Sequence, residues 1–175
     1  MDAPLLIREM ALADCDRVSE IRIRGWQSAY RGLMPQPFLD GLSVPADAER
    51  RRARFGQGGG RIMDLVAERH GEILGWACHG PYRDGELRTE EAELYAIYVA
   101  PQRIGSGIGH ALLQESVRRT SAAGHPRMLL WVLKDNTHAR RFYERQGFAA
   151  DGAEEPFEVD GVPVPEVRYT KALTP

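Results

Sequence analysis

Hydrophobic residues in this chain fall into short runs that alternate between the two-residue period of strands and the wider spacing of helices. Leu5 to Met10 reads as a short first strand. Asp14 is placed to cap a helix whose apolar positions Val18 and Ile21 lead toward Trp26 and Tyr30, a pair four apart on one helical face. Arg31-Gly32-Leu33-Met34-Pro35 breaks that helix, Phe38 to Leu42 reads as a short helical turn, and Ala46 to Phe55 as a charged helix ending at Gly56. After the flexible run Gln57-Gly58-Gly59-Gly60, two strands follow, Ile62 to Arg69 and Glu72 to Gly80. They meet at His70-Gly71, where glycine supplies the positive φ of a tight hairpin. Pro81 to Glu91 is polar and without period, and is expected to be a loop.

The second half alternates more clearly. Leu94 to Val99 carries the β-branched and aromatic residues of a strand, and Pro101 cannot donate to a ladder beyond it. Gly105, Gly107 and Gly109 let the backbone turn into a helix that begins near Ile108, carries Leu112, Leu113 and Val117, and ends at Gly124 and Pro126. Met128 to Leu133 is a continuous apolar strand. Asn136 caps a helix with Ala139, Phe142 and Tyr143 on one side, stopped by Gly147. A strand runs on from Phe148, Asp160-Gly161 makes a hairpin turn, and Val167 to Leu173 closes the pattern. Strands alternating with helices in the middle and hairpins at both ends predict a mixed α/β sheet, in a single domain over residues 1–175.

Composition narrows the function. A net charge of −2 argues against nucleic acid as a partner, and Arg51, Arg52 and Arg54, flanked by acids, read as a solvated helix face. The start, MDAPLLIREM, has neither a long apolar run nor a basic lead-in, so no signal peptide and no membrane span are expected. Cys15 and Cys78 are isolated thiols, which fits two small buried hydrophobes in a reducing cytoplasm, and the five scattered histidines predict no metal site.

The glycine turn carries the candidate chemistry. A helix N-terminus presents free N–H groups, and glycines let an anion come close, so the turn is expected to hold the pyrophosphate of a nucleotide-like cofactor; a purely structural turn is the alternative. The nucleoside-triphosphate loop needs a Gly-Lys pair, which this chain lacks. The dinucleotide pattern GxGxxG fails too, because its last position falls on His110 or Leu112.

ELYAIYVAPQRIGSGIGHALL (93–113), followed later by NTHARRFYERQGF (136–148), resembles the GNAT superfamily of N-acetyltransferases. The first block is similar to that family's acetyl-CoA pyrophosphate loop and the second to its N-x-x-A-x-x-F-Y-x-x-x-G-F segment. Trp26, with Tyr30 to Pro35, further resembles the first helix and loop of a bacterial branch. Aligning the glycines on Gly107 and Gly109 puts Ile104 where the family usually has Gln or Arg, a change that backbone N–H groups can absorb.

The resemblance implies a mostly antiparallel sheet of about six or seven strands with about four flanking helices and splayed central strands. It implies acetyl-CoA as acyl donor, a small-molecule or peptide amine as acceptor and direct transfer without an acyl-enzyme, and it allows a homodimer. The pantetheine arm would bond to main-chain groups of Ile97, Tyr98 and Val99, and the pyrophosphate would sit on the turn made by Arg103, Ile104, Ser106, His110 and the glycines.

Tyr143 matches the family's general acid, with an aromatic core residue as its alternative role. Glu93 matches a position from which some members draw a base; the alternative is a strand-end carboxylate partnered by an arginine. Asn136 can contact the cofactor arm, cap its helix, or do both, and Arg140 can reach phosphate or lie on a solvated face. Trp26, Tyr30, Tyr82 and Tyr95 are candidates for the acceptor pocket, Trp26 and Tyr30 equally for core packing. A non-catalytic acyl-CoA sensor on the same fold is the rival function.

Overall fold

The computed structural model describes residues 3–174. Apolar runs too short to bury themselves pair into one seven-stranded sheet, in the order β1-β2-β3-β4-β5-β7-β6. Its strands are β1 (Leu6–Glu9), β2 (Met63–Arg69), β3 (Glu72–Asp84), β4 (Leu87–Val99), β5 (Arg127–Leu133), β6 (Ala149–Val159) and β7 (Val162–Ala172). The helices are α1 (Cys15–Ala29), α2 (Gln36–Asp40), α3 (Val44–Arg54), α4 (Ile108–Ala122) and α5 (Thr137–Arg145). All neighbouring strands are antiparallel except β4 and β5.

Each face of the sheet buries a different set of helices. Val18 and Ile21 of α1 pack with Val66, Trp76 and Cys78 on one face. Ile108 and Leu112 of α4 pack with Leu65, Leu74 and Ala77 on the other. Along the same face, Leu113 and Tyr143 join Leu94, Met128, Leu130 and Tyr169. A fourth cluster closes the end of the first face, where Trp26 and Tyr30 meet Met34, Leu39, Leu133 and Val164.

Two expectations from sequence fail for physical reasons. Pro81 to Glu91 is not a loop: β3 continues to Asp84 and β4 starts at Leu87, around a turn at Gly85, which has φ +60°. The extension is held by backbone ladder bonds between largely exposed residues, with Asp84 opposite Leu87, so no apolar period marks it. The closing strand begins at Val162 rather than Val167, running through Pro163 and Pro165. That stretch faces β6 on one side, while β5 reaches only as far as the Leu133–Glu166 pair, so prolines without an N–H are tolerated there.

The feature that positions the site is the short parallel ladder between β4 and β5. It consists of Ala92 opposite Met128 and Glu93 opposite Leu129, and then stops. β4 stays paired to β3 as far as Val99, opposite Gly75, and β5 stays paired to β7 throughout. From Leu94 to Val99 the inner edge of β4 therefore has no strand beside it, and the sheet opens in a V.

Candidate active site

At the mouth of the V, the chain leaves β4 through Ala100 and a short turn at Pro101–Arg103. Gly105 and Gly107 both take φ +83°, a conformation that other residues adopt only with strain, and no atom would crowd a side chain at either. Glycine is required here by conformation rather than by packing. Gly107 is the residue that caps α4, so the helix starts at Ile108, in the register that places Ile104 outside the helix. Ile104 is exposed. Ala111 donates to the Gly107 carbonyl, and Ser106 to that of Arg103. Among the described residues, the N–H groups of Gly105, Gly107, Ile108, Gly109 and His110 have no backbone hydrogen-bond partner. Five such donors thus lie at or just before the positive end of a 15-residue helix. The His110 ring nitrogen lies 2.7 Å from the Gln146 side-chain oxygen, tying this turn to the end of α5.

Inside the V, three tyrosines meet. The Tyr30 and Tyr98 hydroxyls are 2.9 Å apart. The Tyr98 ring stacks on Trp76 at 6.3 Å and lies against Gly25, where even a methyl group would collide with it. Tyr143 enters from the opposite face, on α5, packed edge-on against Phe142 and Phe148. Its hydroxyl makes no hydrogen bond among the described residues. Burial is the main reason that all three phenols ionise above their ordinary range, with Tyr30 adding to the effect on Tyr98 and Tyr143. Each is a neutral O–H donor at neutral pH. Asn136 fulfils the cap role, its side-chain oxygen accepting from the Ala139 N–H at 3.2 Å.

Several expected residues are engaged with their neighbours. Glu93 is 3% exposed and sits on the last rung of the parallel ladder. Its carboxylate accepts from Arg83 three times: from Nε and Nη2 at 3.0 Å each, and from the backbone N–H at 3.1 Å. The Arg83 guanidinium also lies 4.1 Å over the Tyr95 ring, and Tyr95 donates its hydroxyl proton to the Pro81 carbonyl. Tyr82 accepts from Arg168 at 3.0 Å. Arg140 donates to the Tyr169 hydroxyl and the Lys134 carbonyl, both at 2.8 Å, and so faces the β5 end of its helix rather than the glycine turn. Trp26 packs among Tyr30, Phe38 and Phe157, on the floor beside the V.

Two clefts of about 300 and 320 Å³ flank the Arg31–Pro35 turn, one against Pro101 and the other against Leu133, Val164 and Pro165. Two residues missed in the sequence lie on the sheet face that α1 covers: Trp131, beneath the Arg168 guanidinium at 5.8 Å, and Glu166, which is paired with Leu133 across β5 and β7. Glu166 follows two prolines and carries no motif; only its alternation with Val164 and Arg168 could have placed it on this face.

The family model for the acetyltransferase (GNAT) family matches residues 26–148. An uncharacterized N-acetyltransferase, YuaI of Bacillus subtilis, is 28% identical over 162 residues, which span 92% of this chain and 89% of that protein. A ribosomal-protein-alanine N-acetyltransferase from Brucella melitensis has the same fold, with a TM-score of 0.75 at 24% identity over 96% of this chain and 99% of that one. The PaiA N-acetyltransferase of Thermoplasma acidophilum, solved in complex with coenzyme A, superposes with a TM-score of 0.72 at 20% identity, over 97% and 99% of the two chains.

Proposed function

The chain belongs to the GNAT family of acetyltransferases, whose acyl donor is acetyl-CoA, and we propose that it moves the acetyl group directly onto a primary amine of a small molecule or peptide. The observation that carries this reading is the V itself, an unpaired strand edge that ends at five free N–H groups. An extended pantetheine arm adds to the β4 edge at Ile97, Tyr98 and Val99 as a strand would, and the pyrophosphate takes the donors of the turn from Arg103 to His110. Asn136 borders the arm from β5's end. The thioester then lies between Tyr98 and Tyr143.

The reaction makes three demands on these residues. The oxyanion that develops on the carbonyl needs a fixed donor, for which a β4 N–H near Val99 is suited. The departing thiolate needs a proton, and Tyr143, neutral and free of hydrogen bonds among the described residues, supplies it. The acceptor must arrive as a free amine, although a lysine-type ammonium loses its proton only near pH 10.4 in water. Glu93 matches a position from which some family members draw a base, with an arginine-paired carboxylate as its alternative, and both its oxygens accept from Arg83. We assign it to fixing Arg83 against Tyr95 at the closed end of the V. Trp26, Tyr30, Tyr82 and Tyr95 shape the acceptor side. No cysteine serves as an enzyme nucleophile in this reading: both are buried, and burial pushes the Cys78 thiol well up.

The same reading takes residues 1–175 as one transferase domain, in line with one continuous sheet, and proposes that it acts in the cytoplasm and can form a homodimer; among the described residues no helix is long and apolar enough to cross a membrane. Thermal shift and thiol release test it together. Acetyl-CoA, but not NAD or ATP, is expected to raise Tm, and at least one amine in a broad panel to release CoA thiol. Stabilisation with no thiol release for any amine would favour the acyl-CoA sensor, and no stabilisation would remove both.

A further inference from the structure

Glu166 occupies a position in the sheet that the family-matched carboxylate does not. Glu93 lies on the rung that links Leu129 and Thr170, the last before β4 and β5 part. Glu166 pairs with Leu133, four residues further along β5, or about 13 Å at strand rise. Four residues along β4 in the same direction is Ile97, next to Tyr98. Glu166 therefore stands one strand behind β5, the far wall of the V, level with the height where a thioester would lie, while Glu93 stands at its closed end.

The side chain lies on the sheet face that carries Trp26 and Tyr30, taken above as the acceptor side. Val164, two residues before, packs with Leu133 and Met34 beside Trp26 and Tyr30; Arg168, two residues after, reaches Tyr82 and lies over Trp131. Alternation puts Glu166 between them on that face. Unlike Glu93, it has neither an ion pair nor a hydrogen bond to its carboxylate among the described residues. Its partner across the β6–β7 ladder is Glu155, and a like charge directly opposite is unfavourable.

We propose that Glu166 is the general base of the transfer, accepting the proton of the incoming ammonium on the acceptor side of the V. This rests on the acetyltransferase reading and gives that reading its missing proton acceptor. The ammonium loses one proton to the carboxylate, and the amine lone pair then forms the C–N bond at the thioester carbon. As the tetrahedral intermediate collapses, the C–S bond breaks, Tyr143 protonates the sulfur, and the phenolate regains a proton from the nitrogen. Glu166 releases its proton to solvent. Amide, thiol and one proton leave, which balances the reaction.

Electrostatics agrees with this role. Burial first, then Glu155 and Glu93, raise the carboxyl of Glu166 from an ordinary 4.5 to about 7, against the smaller opposing effect of Arg83. Its charge is in turn felt by the Tyr30 phenol on α1. A base poised near neutrality is the most effective at physiological pH.

Glu166→Gln decides the matter, compared with wild type and Glu93→Gln on an amine that the wild type acetylates. Glu166→Gln is expected to bind acetyl-CoA as the wild type does, to lose about 10²–10⁴-fold in kcat/KM at pH 7, and to lose the acidic limb of the pH–rate profile. The deficit should shrink as pH approaches the amine's own pKa, a recovery that a folding defect would not give. Retention of that limb in Glu166→Gln, at any rate, overturns the proposal, as does its loss in Glu93→Gln alone. Independently of turnover, the carboxyl ¹³C resonance that disappears in Glu166→Gln should titrate near neutrality, and ionisation complete below pH 5 overturns the assignment. A wild type that releases no thiol with any amine is a separate result, fatal to the acetyltransferase reading.

Discussion

Tyr143 is tested most cleanly by the loss of one oxygen. Its ring is held by Phe142 and Phe148 on the α5 side, and its hydroxyl donates to nothing among the described residues. Tyr143→Phe therefore keeps the packing and removes only the acid. The fold should hold to within about 0.5 kcal/mol, as no hydrogen bond is broken, while kcat falls about 10²-fold or more. Thiol-release kinetics beside calorimetric acetyl-CoA binding checks this: unchanged kcat would return Tyr143 to the core. At Arg83 the expected effect is on stability instead. Arg83→Ala leaves the Glu93 carboxylate buried with only a backbone donor. Loss of a partner from a fully buried pair costs about 3–5 kcal/mol, and because the Arg83 side chain is 47% exposed we expect about 2 kcal/mol, read by urea unfolding. Tyr143 and Asn136 were legible in the sequence because a local pattern fixes them, one helix and its cap. The Arg83–Glu93 pair and the place of Glu166 were not, since each depends on strand register across the sheet, which no local spacing encodes.

At the scale of elements, the seat of α4 decides whether the anion site forms. Two glycines hold it by different means. Gly107 needs its φ of +83° to turn the chain into the helix, with open space around it; Gly107→Ala should cost about 1–2 kcal/mol and blunt the donor cluster. Gly75, extended on β3, lies beneath the helix: a methyl group there would come within 2.9 Å of both Ile108 and Leu112 and 3.3 Å of the Tyr98 carbonyl. Gly75→Ala must push α4 outward, at about 1–3 kcal/mol, and shift its N-terminus away from the V. Both variants are expected to weaken acetyl-CoA binding more than they lower Tm with the ligand absent, and isothermal titration beside thermal melts separates the two. Equal binding in Gly75→Ala would mean that α4 does not position the donors. The helix start at Ile108 was readable from the glycines and the apolar period after them. The long β3–β4 hairpin was not, because its ladder runs through polar residues and Asp84-Gly85 was the only turn signal.

For the whole molecule, the same groups predict how stability follows pH. A carboxyl raised in the folded state contributes stability that is fully present below its unfolded value and is lost as pH rises through the folded one. For Glu166 that window runs from 4.5 to about 7. Charged Glu166, facing Glu155 and near Glu93, thus works against the fold above neutrality. His79 acts at the other end. Burial lowers its pKa from 6.5 to about 4, so the unfolded chain takes up a proton that the folded one refuses, and stability falls as pH drops through that range. Wild-type Tm should therefore peak where the two opposing slopes cancel, at about pH 5.5. Glu166→Gln removes only the upper penalty. Its Tm should exceed that of the wild type at pH 8 and match it at pH 4, with the acid-side decline of His79 intact. A gain equal at both pH values would mean that the carboxylate carries no penalty from its place in the sheet. A gain confined to alkaline pH, beside a loss of turnover, would mean that the fold holds an unpaired charge at the V because the reaction uses it.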